Sequence, residues 1–215
     1  MKFACLALAA FLLAPAAYAD GLSVTTGLSA GKVETATGDL EYYGPRFILD
    51  GSKGNLRYGV DSRVGELDKD TFLTVEAEAA YLFGGLVGPK VKYEYANIDV
   101  TDTITRTGLV GLAGEYPATE TVKLYGEALK GENDTKQLLV GGAFDLGPKV
   151  NVFTEGKLHH VGDEKVKGVE LGFEYSIDGV GSVDTRLIYA KDELTGGIPA
   201  FNRARGISTG LTINF

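Results

Sequence analysis

Residues 168–177 read GVELGFEYSI, and this stretch decides the fold. Val169, Leu171, Phe173, Tyr175 and Ile177 alternate with Glu170, Gly172, Glu174 and Ser176, the period of two that sends successive side chains to opposite faces of a strand. One face is apolar and the other polar.

The same alternation recurs outward in both directions and yields twelve predicted strands. Their apolar faces include Leu22/Val24/Leu28, Tyr43/Phe47/Leu49, Leu56/Tyr58/Val60/Val64, Leu73/Val75/Ala77/Ala79/Tyr81 and Val91/Tyr93/Tyr95. They continue through Val110/Leu112/Tyr116, Val122/Leu124/Ala128, Leu138/Val140/Phe144, Val150/Val152/Leu158, the opening stretch, Thr185/Leu187/Tyr189 and Ile207/Thr209/Leu211/Ile213/Phe215. None of these faces carries a charge. The segments around Tyr43 and Ile104 also read as loop, which would leave ten strands.

Composition agrees with an all-β chain. Thirty of the 215 residues are Gly, and each Gly inside a helix costs about 1 kcal/mol against Ala. The formal charge of −8, with no basic block, excludes a nucleic-acid binder that would need clustered Lys and Arg. Residues 1–19 are expected to be a secretory signal. They combine Lys2, an apolar run from Phe3 to Leu13 that is too short to span a bilayer, and Ala17-Tyr18-Ala19 ahead of a cut before Asp20. Removing them removes Cys5, the only cysteine, so residues 20–215 hold no thiol chemistry.

Connections alternate in kind. Tight turns at 51–54, 84–89, 117–119, 147–149 and 178–181 interleave with expected longer polar links near 33–40, 65–70, 97–105, 131–136, 160–166 and 191–205. Aromatics gather where strands approach the tight turns, at Phe47, Tyr81, Phe83, Tyr116, Phe144, Phe173 and Tyr175, the distribution of an interfacial girdle. The last strand alternates to a terminal Phe215. These features together resemble the Gram-negative outer-membrane β-barrel proteins, porin-like in size, over residues 20–215. The resemblance implies an antiparallel transmembrane barrel with Phe215 as the signal read by the barrel-assembly machinery, set among outer-membrane lipid and lipopolysaccharide. Twelve strands also match the small monomeric porins for acidic oligosaccharides, whose lumen is basic where this one is not.

With the apolar face toward lipid, the polar face lines a lumen. Strands two, three and eleven bring Arg46, Arg57, Arg63 and Arg186, an expected basic wall. An acidic wall is expected from Glu76, Glu78, Glu94, Glu127, Glu155 and Glu174. Between the arginine strands, the first and last strands offer small residues such as Thr25, Gly27, Ser29, Ser208 and Gly210. This inventory fits a water-filled, weakly cation-preferring channel for small hydrophilic solutes, or a closed structural barrel in which the charges pair off. Catalysis finds no support, because His159 and His160, the only histidines, are adjacent and therefore face opposite sides of one strand. No metal or cofactor signature is present; Glu66, Asp68, Asp99 and Glu132 lie in the polar links without the spacing of a calcium hand and read as a solvated rim, or as a bridge to lipopolysaccharide through divalent ions.

Deleting Phe215, or replacing it with Asp, is expected to leave synthesis and cleavage after Ala19 intact while lowering the yield of heat-modifiable barrel in membranes. Normal yield on a gel-shift assay would remove Phe215 from assembly.

Overall fold

In the computed structural model, residues 21–35, 38–99, 103–132, 134–161, 164–178, 181–192 and 203–214 are described. The expected leader, most of the last link and Phe215 lie outside them. Twelve antiparallel strands form a closed barrel. They are β1 (Gly21–Thr35), β2 (Gly38–Lys53), β3 (Leu56–Leu67), β4 (Asp70–Tyr81), β5 (Val87–Ile98), β6 (Thr103–Pro117), β7 (Val122–Gly131), β8 (Lys136–Asp145), β9 (Val150–Val161), β10 (Glu164–Ile177), β11 (Gly181–Asp192) and β12 (Arg203–Asn214).

Each strand pairs with its neighbours in sequence, and β1 closes the ring against β12 from Ser23↔Asn214 to Glu34↔Arg203. The two segments that also read as loop are strands: β2 contains Tyr43 and β6 contains Ile104. Pro45 marks a local lapse, since the β2–β3 register passes from Tyr43↔Glu66 to Arg46↔Arg63 with no pairing at Gly44 and Pro45. A proline has no N–H to give the ladder.

Five connections lie at one end of the barrel, here the near end, together with the start of β1 and the finish of β12. The other six lie at the far end. Four far-end links, expected near 33–40, 65–70, 97–105 and 160–166, are shorter than expected, because strand pairing runs on almost to the tips; the link at 131–136 matches, and most of that at 191–205 lies outside the described residues. β1 and β2 stay paired to Thr35↔Gly38, and Asp68 and Lys69 alone join Leu67 to Asp70. Both turn residues have positive φ, 50° and 78°, the geometry of a two-residue turn whose twist matches the ribbon. The polar residues of these links are therefore mounted on paired ribbon.

Facing follows the alternation. Outward residues such as Leu28, 64% exposed, and Val140, 61% exposed, leave an apolar exterior, which is the inversion of a water-soluble protein and the condition for lying in lipid. Tyr81, Phe83, Tyr116, Phe173 and Tyr175 are exposed near the turns, with the Tyr81 and Phe83 rings edge-to-face at 5.3 Å. Inside lie Arg46, Lys90, Lys92, Glu127, Gln137 and Asp184, all buried.

Adjacent residues on β8 test this inversion with one substitution. Val140→Arg, on the lipid-facing surface, is expected to destabilise the barrel by about 2–4 kcal/mol, whereas Leu139→Arg, which enters the lumen beside carboxylates, is expected to lose less than half as much. Urea titration of both variants in vesicles reads the difference, and equal losses would reverse the assignment of inside and outside.

Candidate functional site

A cavity of 470 Å³ occupies the lumen, and its wall includes Arg57 and Lys123 near the turns, Asp50, Tyr125 and Glu155 at mid-depth, and Arg63, Glu76 and Lys157 farther along. Three clusters of side chains build that wall.

The first sits where β1 and β12 carry small residues. Arg46, only 6% exposed, donates Nη1 to Ser208 Oγ at 2.9 Å, reaching past β1 to β12. Its Nε and Nη2 grip Asp61 at 3.1 Å and 2.6 Å, and Arg63 approaches the same carboxylate at 3.3 Å. Bidentate guanidinium–carboxylate geometry fixes both partners. Had β1 or β12 carried bulky inward residues, Arg46 could not lie flat here.

A second cluster lies on β7, β9, β10 and β11. Arg186 donates Nε to Asp184 Oδ2 at 2.9 Å and Nη1 to Glu170 Oε1 at 3.2 Å, while its guanidinium stands 4.9 Å from the centre of the Phe153 ring. Phe153 in turn occupies the space that a Cβ at Gly172 would need, so the missing side chain at Gly172 is what seats the ring. Tyr125 covers Gly141 in the same manner and donates its hydroxyl to Glu155 Oε1 at 2.8 Å. Glu174 accepts from the Ser182 hydroxyl.

The third cluster carries most of the expected acidic wall. Lys90 bridges Glu78, at 2.8 Å, and Glu127. Lys92, 4% exposed, meets Glu76 Oε1 at 2.7 Å and Glu94 Oε1 at 3.2 Å and donates to Gln137 Oε1 at 3.0 Å. Gln137 returns a bond to Glu94 at 3.1 Å. Lys157 on β9 stands 3.9 Å from Glu76 and 3.8 Å from Glu94, so β4 and β5 contact β9 across the lumen. Lys90 and Lys92 extend from β5 to β7 and β8, over the inward positions Leu109 and Gly111 of β6 that pair with them. Their long stems cover apolar wall while their ammonium groups reach carboxylates.

The expected site residues thus separate into different environments. Arg46 and Arg63 meet at Asp61; Arg186 lies in its own cluster; Arg57 turns toward the near-end carbonyls of Gly54, at 2.7 Å, and Leu56. Glu76, Glu78, Glu94 and Glu127 converge, yet they do so around lysines. Tyr125, Phe153 and Gln137 were not singled out in the sequence. Parity alone would place them inside, since Tyr125 and Phe153 are each two residues from an inward charge on the same strand and Gln137 shares the inward parity of Asp145 on β8.

No family model matches the chain, and no curated protein matches it in sequence. Solved structures do match. The KdgM porin is 10% identical, with 90% of this chain and 99% of that chain covered and a TM-score of 0.59. The NanC porin is 9% identical over 88% and 98% of the two chains, with a TM-score of 0.54. The fold is that of the porin-like outer-membrane barrels. A third neighbour, the translocator domain of autotransporter NalP from Neisseria meningitidis, is 12% identical over 98% and 96%, with a TM-score of 0.53; one barrel geometry serves proteins of different names.

Lys92→Met removes the hub of the third cluster and leaves Glu76 and Glu94 facing each other, with an expected loss of about 2 kcal/mol from charge-assisted hydrogen bonds. Lys157→Met, at longer range, is expected to lose less than half of that. Denaturant midpoints of the two variants in the same lipid measure the order, and a reversed order would displace Lys92 as the hub.

Proposed function

We propose that the protein is an outer-membrane channel for passive diffusion of small hydrophilic solutes, delivered by its leader and by the assembly machinery to a Gram-negative outer membrane. The far end, with six ribbon tips, faces outside and the near end faces the periplasm. One observation carries this reading: inside an uncharged exterior lies a cavity whose wall holds eight carboxylates and eight Lys or Arg residues. Water is the medium that suits such a wall, because isolated charges are too costly to keep dry. Additional carboxylates beside the cavity, Glu94, Glu174 and Asp184, tip the balance toward acid and favour cations weakly. The channel does no chemistry, and its partners are solutes and lipid.

A second reading, a closed barrel that contacts the envelope through its rim, draws on the same residues. Arg46, Lys92, Glu127 and Asp184 are buried and paired, and the Lys157–Glu76 contact ties opposite walls.

Planar-bilayer recording separates the two. The channel gives discrete conductance steps and, in a salt gradient at neutral pH, a reversal potential of modest cation preference. Insertion with no steps would establish the closed barrel; anion preference would overturn the charge balance assigned to the lumen.

A further inference from the structure

The far-end exterior is not electrically uniform. On β1 and its neighbours, outward charges find partners within the protein: Lys32 pairs with Glu41 at 2.8 Å, Arg205 lies 3.9 Å from Glu34, and Tyr43 donates to Glu66. On the opposite side, the register sets Lys130 of β7 directly against Lys136 of β8, Lys136 against His160 of β9, and His160 against Lys165 of β10. Four basic residues therefore stand in one cross-strand row about 15 Å long, at about 4.8 Å per strand. The three lysines are exposed, and none of the ion pairs formed among the described residues includes any of them. Lys167, Lys191 and Arg203 hold the next paired positions across β10, β11 and β12.

Like charges placed directly opposite in a sheet repel and destabilise it. Such a row is tolerated where an external anion lies over it. Depth says which anion. All four residues have the outward parity of their strands, and the next outward residues toward the barrel centre on β7, β8 and β9 are Ala128, Leu138 and Leu158. On these three strands the row begins one step beyond the apolar band, and on β10, where Lys167 intervenes, two steps beyond Val169, at the level of lipid headgroups, where phosphate is the anionic group within reach of a lysine.

We propose that the Lys130–Lys136–His160–Lys165 row is a binding site for the phosphate groups of the outer-leaflet glycolipid, lipopolysaccharide. The site rests on the outer-membrane residence and orientation proposed above. The three ammonium groups neutralise phosphate charge, and His160 adds a ring nitrogen to the row. No divalent ion is required. Carboxylates that would need one occur mainly on β1, β2 and β3, at Glu34, Glu41 and Glu66; Glu132 and Asp134 stand at the tip beyond Lys130 and Lys136 rather than in the row.

The test uses the refolded full barrel in detergent and vesicles, with intact lipopolysaccharide, phosphatase-treated lipopolysaccharide and inorganic phosphate as probes, all with chelator present. Wild type is expected to retain intact lipopolysaccharide in native mass spectra and to lose it on phosphatase treatment. The Lys130→Gln, Lys136→Gln, Lys165→Gln triple variant is expected to bind about a hundredfold more weakly, from about a fivefold share per lysine, while the triple Arg variant binds as wild type. Equal retention by wild type and the triple Gln variant, or undiminished retention after phosphatase treatment, overturns the site. Occupancy by inorganic phosphate as tight as by the lipid overturns the headgroup assignment in favour of a free anion. A wild-type chain that fails to enter vesicles as a heat-modifiable barrel overturns the membrane reading itself, a result distinct from normal insertion without phosphate-dependent binding.

Discussion

Closure of β1 on β12 is the contact on which everything else depends. A sheet in hydrocarbon cannot leave an edge, because each unpaired N–H or C=O lacks water to bond and costs several kcal/mol. The seam is built from small residues: Gly27 faces Gly210, Ser29 faces Ser208, and Gly31 faces Gly206. Backbones meet there with little side chain between them, and Tyr42 lies against the space above Gly31 and Gly206. Its ring, edge-to-face with Phe72 at 6.2 Å, restores inner bulk that the glycines give up.

The same seam organises the lumen. Because β1 and β12 present small inward residues, Arg46 can reach Ser208 and still hold Asp61. On the opposite wall, Gly111 of β6 leaves room for Lys90, its paired residue, to extend to Glu127 of β7, while Lys92 passes over Leu109 to Gln137 of β8. Small residues on one strand thus determine how far charged residues of its neighbours travel. The result is a lumen whose charges are arranged as local clusters, the first and third close to balanced and the one around Arg186 rich in carboxylates. Pairing of this kind stiffens a small barrel, and it also narrows the passage.

Outside, the physics is reversed. Apolar side chains gain nothing from burial against each other and everything from lipid contact, so stability rests on hydrogen-bonded closure, aromatic placement near the turns and the match between charged ends and headgroups. The asymmetry of the far end, with internally paired charge around β1 and a basic row on β7 to β10 whose lysines enter none of the ion pairs among the described residues, follows from register. A slip of one residue in β8 would turn Lys136 inward and break the row.

The sequence by itself determined the fold class and the facing of nearly every strand residue, because period-two alternation maps directly onto inside and outside. It left strand number open at Tyr43 and Ile104. Pro45 interrupts the ladder and β6 carries polar residues at its start, so local signals weaken where neighbouring strands supply the pairing. Arg46, Arg57, Arg63 and Arg186, and the six glutamates of the expected acidic wall, are legible as inward charges. Their partners are not, since Lys92 with Gln137, Lys157 with Glu76 and Arg46 with Ser208 join strands that are not adjacent. Alternation gives a residue its face and says nothing of what stands across the lumen. Curvature, tilt and closure decide those distances, and they exist only in the assembled barrel.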